Sequence, residues 1–352
     1  MEPEIAEQPV AQLPKVKGRR LWRWSKNIFK GLAGLIVALL FIGPIYQFTA
    51  TKLDNSKYPV PGKLIDVGGY RLHLNCTGTG TVPVILDAGL GEGAMEWELV
   101  QPEVAKFARV CSYDRAGLGW SETGPNPRTS QQIDKELRSL LGNAGIAMPY
   151  VLVGHSIGGI HMQFYASQFP DEVAGLVLVD STHESQWDRK ELPKIPSFLP
   201  MLFKALAPLG IPRLLNKALT PAQENLSLEF AAKRSAVYCR TRHLNAAADE
   251  LSAVSSSVLQ VHANPMQLGN KPLFVLTRGK KESIPGLSSE KSERVEAVWK
   301  ELQNDLATRS QNSKHVIAEN SGHMIPLQQP NLVIDAIRQT LIAAQQHIPL
   351  VN

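Results

Sequence analysis

The chain has 352 residues, 43% hydrophobic and 20% charged, with 37 Lys and Arg against 32 Asp and Glu for a formal net charge of +5. Such proportions belong to an ordinary globular protein with enough length for one large α/β core plus an excursion, and three cysteines exclude a disulfide framework. The charge excess is local: Lys15, Lys17, Arg19, Arg20, Arg23, Lys26 and Lys30 all precede one apolar stretch, so no nucleic-acid surface is expected.

That stretch, Gly31 to Phe48, carries no charge and as a helix would be roughly 27 Å long, close to the thickness of a bilayer's hydrocarbon. Trp22, Trp24 and Tyr46 flank it as interfacial aromatics do, and the basic side is expected in the cytoplasm. The reading is a cytoplasmic tail over 1–30, an uncleaved transmembrane signal-anchor over 31–48 and a linker over 49–61, with the bulk of the chain extracytoplasmic. A cleaved secretory signal fits less well, because Phe48-Thr49-Ala50 offers a bulky residue where a small one is wanted.

The folded part is expected to begin at Gly62. Lys63 to Val67 and Tyr70 to Cys76 alternate around Gly68-Gly69 as a hairpin, and Val84 to Asp87 is a short apolar strand running into Ala88-Gly89-Leu90-Gly91. Trp97 to Phe107 has a helical pattern, Arg109 to Asp114 reads as a strand, and Asp114-Arg115 before a Gly-rich turn reads as a structural hydrogen-bonding pair. Thr129 to Ala144 is a helix with a cap at Thr129 or Ser130. A buried strand, Val151 to Val153, then enters Gly154-His155-Ser156-Ile157-Gly158, and an amphipathic helix leaves it. Ala174 to Asp180 is the next buried strand.

From 183 to 271 the pattern changes to proline-punctuated apolar stretches and then helix, an inserted cap over the rest. Alternation resumes with a strand at Pro272 to Thr277, a charged helix at Ser288 to Ser310, a strand at Lys314 to Glu319 and a closing helix at Asn331 to Gln346. Strands alternating with helices, in near-continuous apolar runs, argue a mostly parallel sheet covered on both faces, with 62–182 and 272–352 forming one core.

A Gly-x-Ser-x-Gly turn between strand and helix throws its serine out on the apex above a helix N-terminus, where unpaired N–H groups favour developing negative charge. Ser156 is therefore the candidate nucleophile, and the Ile157 N–H one donor to an oxyanion; Leu90 or Gly89 is expected to supply the second. Serine needs a base, and His323 fits, in a Gly-containing loop after the last strand. No metal cluster, nucleotide fingerprint or phosphate loop is found, so no cofactor or metal is expected.

With Gly154-His155-Ser156-Ile157-Gly158-Gly159, the Tyr113-to-Ser121 segment and Ser321-Gly322-His323 in view, the chain from Gly62 onward resembles an α/β-hydrolase fold serine hydrolase of the esterase and lipase-like branch with a cap. The resemblance implies a triad acid. Many members carry it as an Asp after the strand that follows the cap, but here that loop is Arg278-Gly279-Lys280-Lys281-Glu282-Ser283. A minority place it at the end of the strand after the elbow helix, where this chain has Asp180. Asp180 is preferred and Glu282 kept as the alternative acid.

In that fold Cys76 and Cys111 would lie on neighbouring strands, which leaves open both a disulfide and two small buried residues. The resemblance implies cleavage of a carboxylic ester through an acyl-enzyme, with a small acyl substrate as partner and lipid around the anchor. Aminopeptidase, thioesterase and lactonase remain as alternatives, Glu184 or Glu191 being able to grip a free amine, and so does a non-catalytic, membrane-tethered interaction protein.

Overall fold

A computed structural model describes residues 18–192, 196, 198–219, 226–282 and 287–350. Lys15 and Lys17 of the basic tail, Pro193 and Pro221 of the cap and Ser283 of the post-cap loop lie outside these residues. The chain opens with helix α1 (Gly18–Lys57). Its part from Lys26 to Lys57 is long and apolar enough to cross a membrane. Residues 49–57, expected as linker, continue the helix: nothing between Pro44 and Lys57 is Gly or Pro, and this end is docked on the cap, as described below.

The core follows as β1 (Lys63–Asp66), β2 (Arg71–Thr77), β3 (Val84–Asp87), α2 (Gln101–Val104), β4 (Val110–Tyr113), α3 (Ser130–Asn143), β5 (Tyr150–His155), α4 (Ile157–Gln168) and β6 (Val173–Val179). Helices α5 (Leu199–Leu206), α6 (Ile211–Leu219), α7 (Leu228–Tyr238) and α8 (Thr241–Ala263) fill the insertion. The chain then closes with β7 (Leu273–Arg278), α9 (Ser289–Leu306), β8 (Ser313–Ala318), α10 (Ile325–Gln328) and α11 (Pro330–Gln346). The helix expected from Trp97 to Phe107 shrinks to a single turn of 3₁₀ helix over Ala94–Trp97 and the four residues of α2. Pro102 lacks an N–H, so it sits in the first turn of α2 rather than inside a longer helix.

The eight strands form one sheet in the order β1-β2-β4-β3-β5-β6-β7-β8, antiparallel between β1 and β2 and between β2 and β4 and parallel elsewhere. Alternate residues of the central strands divide between two cores. Ile85, Leu152, Leu176 and Val275 pack with Leu137 and Leu141 of α3 and Met162 of α4. Val84, Val151, Val177 and Phe274 pack on the other face with Val333, Ile337 and Leu341 of α11. Because both faces are covered, the strands are apolar throughout, which is why they read as runs rather than alternations. Ligand-bearing loops of such sheets gather at the carboxyl ends of the strands, and here β3, β5, β6, β7 and β8 run parallel, so their carboxyl ends lie along one edge of the sheet.

Cys76 and Cys111 are direct partners in the β2–β4 register and form a disulfide, while Cys239 is buried and takes no part in it. The bond spans 35 residues of sequence, so reduction should weaken folding by about 3–4 kcal/mol on the chain-entropy account. Urea unfolding with and without dithiothreitol checks this. A Cys111→Ala variant should show the lowered midpoint in both buffers.

Candidate active site

At the end of β5 the backbone turns through Ser156 with φ 55° and ψ −121°, a conformation costly for any side-chain-bearing residue. It is held there because the strand and helix cross so closely that a Cβ on Gly154 would lie 2.6 Å from the Gly158 carbonyl oxygen. The Ser156 N–H donates to the Val179 carbonyl on β6 at 3.1 Å, and its own carbonyl accepts from the Thr182 N–H at 3.0 Å. The hydroxyl points outward and donates to His323 Nε2 at 2.9 Å.

His323 lies in the loop between β8 and α10, and its Nδ1 donates to Asp180 Oδ2 at 2.6 Å. Asp180 follows β6 directly, also with positive φ, 40°, and its carboxylate is fully buried. Three further donors reach that carboxylate: the Arg278 N–H at 3.1 Å, Arg278 Nη1 at 2.9 Å and Trp299 Nε1 at 2.8 Å. Burial alone would push the carboxyl pKa up, but the His323 bond and the Arg278 charge outweigh it and hold the group at about 2. Asp180 is ionised at neutral pH.

Glu282, the other candidate acid, is brought to the same loop but not to the imidazole. Its Oε1 accepts the backbone N–H of His323 at 2.6 Å, while its own N–H donates to Glu296 at 3.1 Å. It steadies the histidine's main chain and leaves Nδ1 to Asp180.

The Ile157 N–H is the first of α4 and has no acceptor within the helix. Between the two candidates for the second donor the structure separates cleanly. The Gly89 N–H donates to Glu96 Oε2 at 2.9 Å, so it is engaged, whereas the Leu90 N–H has no backbone or side-chain acceptor among the described residues.

Glu96 and His155 are functional-site residues that pattern reading passed over. His155 is the variable position of the elbow, and no sequence spacing ties Glu96 to it. In the structure the two form a buried ion pair at 2.8 Å, and His155 Nε2 donates to the His323 carbonyl at 2.8 Å. Burial pulls the His155 pKa down, but the Glu96 charge more than reverses this and the pKa is raised. Arg278 and Trp299 were likewise unmarked, a strand-end arginine and a helix tryptophan being ordinary in sequence.

Asp114 and Arg115 are both structural hydrogen bonders, as expected, but each bonds to other residues. Asp114 pairs with His73 at 2.7 Å and caps the turn at Ala94 and Trp120, which together hold its pKa at about 2 against the opposing effect of burial. Arg115 is buried beneath the β3 loop, donating to Asp87 at 2.7 Å, to the Ala88 and Gly89 carbonyls at 2.8 and 2.7 Å, and to Glu250 of α8 at 2.7 and 2.9 Å. The loop carrying Leu90 is thus fixed from below.

Beside that loop lies a cavity of about 400 Å³. Leu90 and Gly91 form its near wall, Phe203, Pro212, Leu244 and Leu251 of the insertion its apolar sides, and Glu92 with Arg234 a charged corner. Ser156 is not in its wall; Leu90 lines the cavity and also packs against the cluster that contains Ile157, the residue after Ser156. Elsewhere, His183, Glu184 and Asp305 place ligand-type atoms within 4.8 Å of one another. Arg309 bonds Glu184 at 2.5 Å and Asp305 at 2.6 Å, which puts a cation of the protein's own at that point.

A family model for the alpha/beta hydrolase fold matches residues 82–330, more than half of the chain. Among known sequences the chain is similar to the uncharacterized protein YqjL of Bacillus subtilis, 27% identical over 278 residues that cover 78% of this chain and 89% of the relative. Among solved structures it resembles a thermophilic esterase from Thermogutta terrifontis, with TM-score 0.58 and 22% identity, covering 80% of this chain and 98% of the esterase. It also resembles the enol-lactonase from Burkholderia xenovorans, with TM-score 0.58 and 17% identity over 79% of this chain and 99% of that one. At these identities the structures share the fold.

The two acids separate by experiment. Asp180→Asn should lower ester turnover roughly 10³–10⁴-fold, as loss of the orienting carboxylate does in serine triads, and Glu282→Gln far less. Asp180 also gives an acid-side signature. Its folded pKa is depressed, so its contribution to stability is present above about pH 4 and lost as pH falls through about 2. The gap in urea midpoint between the parent protein and Asp180→Asn should therefore close over that window.

Proposed function

The chain belongs to the alpha/beta hydrolase fold family, and from that premise we propose that it is a serine hydrolase cleaving carboxylic esters through an acyl-enzyme. The observation that carries this is the Asp180–His323–Ser156 chain, linked at 2.6 and 2.9 Å. His323 Nε2 takes the hydroxyl proton as Ser156 Oγ attacks the acyl carbonyl. The carbonyl electron pair moves onto the oxygen, held by the Leu90 and Ile157 N–H groups. Collapse expels the alcohol, which receives the proton from His323. Water, deprotonated by the same nitrogen, then attacks the acyl-enzyme and returns free Ser156 and a carboxylic acid.

Asp180, ionised and aimed at Nδ1, fixes the tautomer that leaves Nε2 free to accept and steadies the imidazolium that forms. The cavity's apolar walls suit a moderately apolar acyl or alkyl group. An esterase and an enol-lactonase share the fold, and open-chain and cyclic esters alike are candidate substrates. The aminopeptidase reading is less well supported, since Glu184, one of its two candidate acids, is paired with Arg309; Glu191, the other, is exposed. A non-catalytic role fits poorly with a nucleophile, base and acid already in hydrogen-bonded contact.

We further propose that α1 anchors the enzyme with its basic N-terminus cytoplasmic and the hydrolase core outside. The helix supports this by its length and apolarity, and the Cys76–Cys111 disulfide by its need for an oxidising compartment.

A p-nitrophenyl ester series of increasing acyl length should be hydrolysed by the chain, and Ser156→Ala should abolish both this and labelling by a fluorophosphonate. Unlabelled parent protein would defeat the serine mechanism, and a preference for thioesters or lactones would move the substrate within the class.

A further inference from the structure

The end of α1 is built into the cap. A Cβ on Gly43 would lie 2.7 Å from the Leu209 carbonyl oxygen, and one on Gly210 would lie 2.8 Å from the Tyr46 ring, so the turn between α5 and α6 rests directly on the helix. One turn further along, buried Gln47 donates to the Cys239 carbonyl at 2.7 Å and accepts from Arg213 Nε at 3.0 Å, and Arg213 closes the clamp by pairing with Asp54. Gly43 and Tyr46 belong to the uncharged stretch that ends at Phe48. The cap therefore touches α1 about 7–8 Å before the apolar segment runs out.

Helices α5 and α6, on either side of that turn, carry large apolar side chains on the outside: Met201 is 75% exposed, Phe198 63%, Leu214 and Leu215 51% each and Leu202 43%. From the same two helices Phe203, itself 39% exposed, and Pro212 line the cavity, so the exposed face runs up to the cavity wall. One layer of chain thus separates an exposed apolar face from the chamber beside Leu90. Isolated apolar residues on a surface mean little, but a contiguous group adjoining a membrane-length helix marks a lipid contact.

We propose that the α5–α6 face lies in the bilayer interface and that the cavity takes its substrate, an acyl ester dissolved in the membrane, through this face. The argument is continuity. The apolar part of α1 fixes the height of the molecule, Gly43 and Tyr46 fix the cap to α1 within that part, and the exposed side chains then fall at the level where acyl chains meet headgroups. The substrate class rests on the serine hydrolase reading; the docking does not.

Full-length protein carrying Met201→Cys, with its other thiols buried or in the disulfide, is labelled with an environment-sensitive NBD fluorophore and reconstituted in phosphatidylcholine vesicles. Blue-shifted emission quenched by lipids with a nitroxide high on the acyl chain is expected. Water-like emission overturns the docking, and shielded emission that lipid nitroxides do not quench overturns it in favour of a protein partner or a second copy.

The double variant Met201→Glu/Leu214→Glu then tests delivery. It should lose roughly tenfold or more in hydrolysis of vesicle-dissolved p-nitrophenyl dodecanoate, with hydrolysis of p-nitrophenyl acetate and fluorophosphonate labelling unchanged. Equal loss on both esters, or none on either, overturns entry from the membrane. Absent labelling in the parent protein would instead sink the serine reading, and the nitroxide result would still decide the docking.

Discussion

Asp180 has to be buried and charged at once, and much of the site is arranged around that conflict. A carboxylate with no exposure loses its hydration and would take up a proton unless the surroundings replace that water. Four bonds do so, and they come from three separate elements: the end of β7 (twice, from Arg278), α9 (Trp299) and the loop after β8 (His323). The carboxyl-terminal third of the core is thereby registered on one side chain of β6. The positive φ of Asp180 is sustained by the same contacts, since a relaxed backbone would swing the carboxylate away from all of them.

A second buried acid works the same way on the other side of His323. Glu96 binds His155 with one oxygen and the Gly89 N–H with the other. Both ring nitrogens of His155 lie close to oxygen atoms, Nδ1 to Glu96 Oε1 and Nε2 to the His323 carbonyl, and the Glu96 charge raises its pKa against the effect of burial. Asp180 aligns the imidazole while Glu96, through His155, aligns the main chain that bears it. Glu96 also occupies the Gly89 N–H, while the next amide of the β3 loop, that of Leu90, has no acceptor among the described residues.

The sequence made the sheet, the elbow and the positions of Ser156 and His323 legible because each is a local event, an apolar run, a glycine pair that tolerates a crossing or a polar residue in a loop at a strand end, whereas Asp180 was reached through the family resemblance. The helix after Trp97 was over-read because apolar spacing alone does not register that Pro102 favours a first turn. What could not be read is long-range. Glu96 to His155, Arg115 to Glu250 and Arg278 to Glu296 are pairings between residues whose only common feature is that the fold buries them together. The role of Glu282 escaped for a related reason. Its position admitted a triad acid, and only the geometry of the His323 loop directs it to a backbone N–H instead.

The cap is attached in two different ways, and the difference bears on how a site beneath it can open. Helix α8 is pinned to the core by Arg115–Glu250, and by His243, which accepts from the Gly119 N–H at 2.9 Å and donates to the Gly91 carbonyl at 2.8 Å. Its Val254, Val258 and Val261 pack on Ile157, Ile160 and Phe164 of α4. Separating it would strand buried charge on both sides, a heavy penalty. Helices α5 and α6 have no such bond to the core among the described residues; α5 packs on α8, α6 on α7, and the turn between them on α1. Any movement that widens the cavity therefore falls to α5 and α6, which are tied by the Lys204–Asp249 pair to α8 and by the Gln47–Arg213–Asp54 clamp to α1. In this arrangement α1 does more than extend from the fold: it forms one support of the cavity's outer wall.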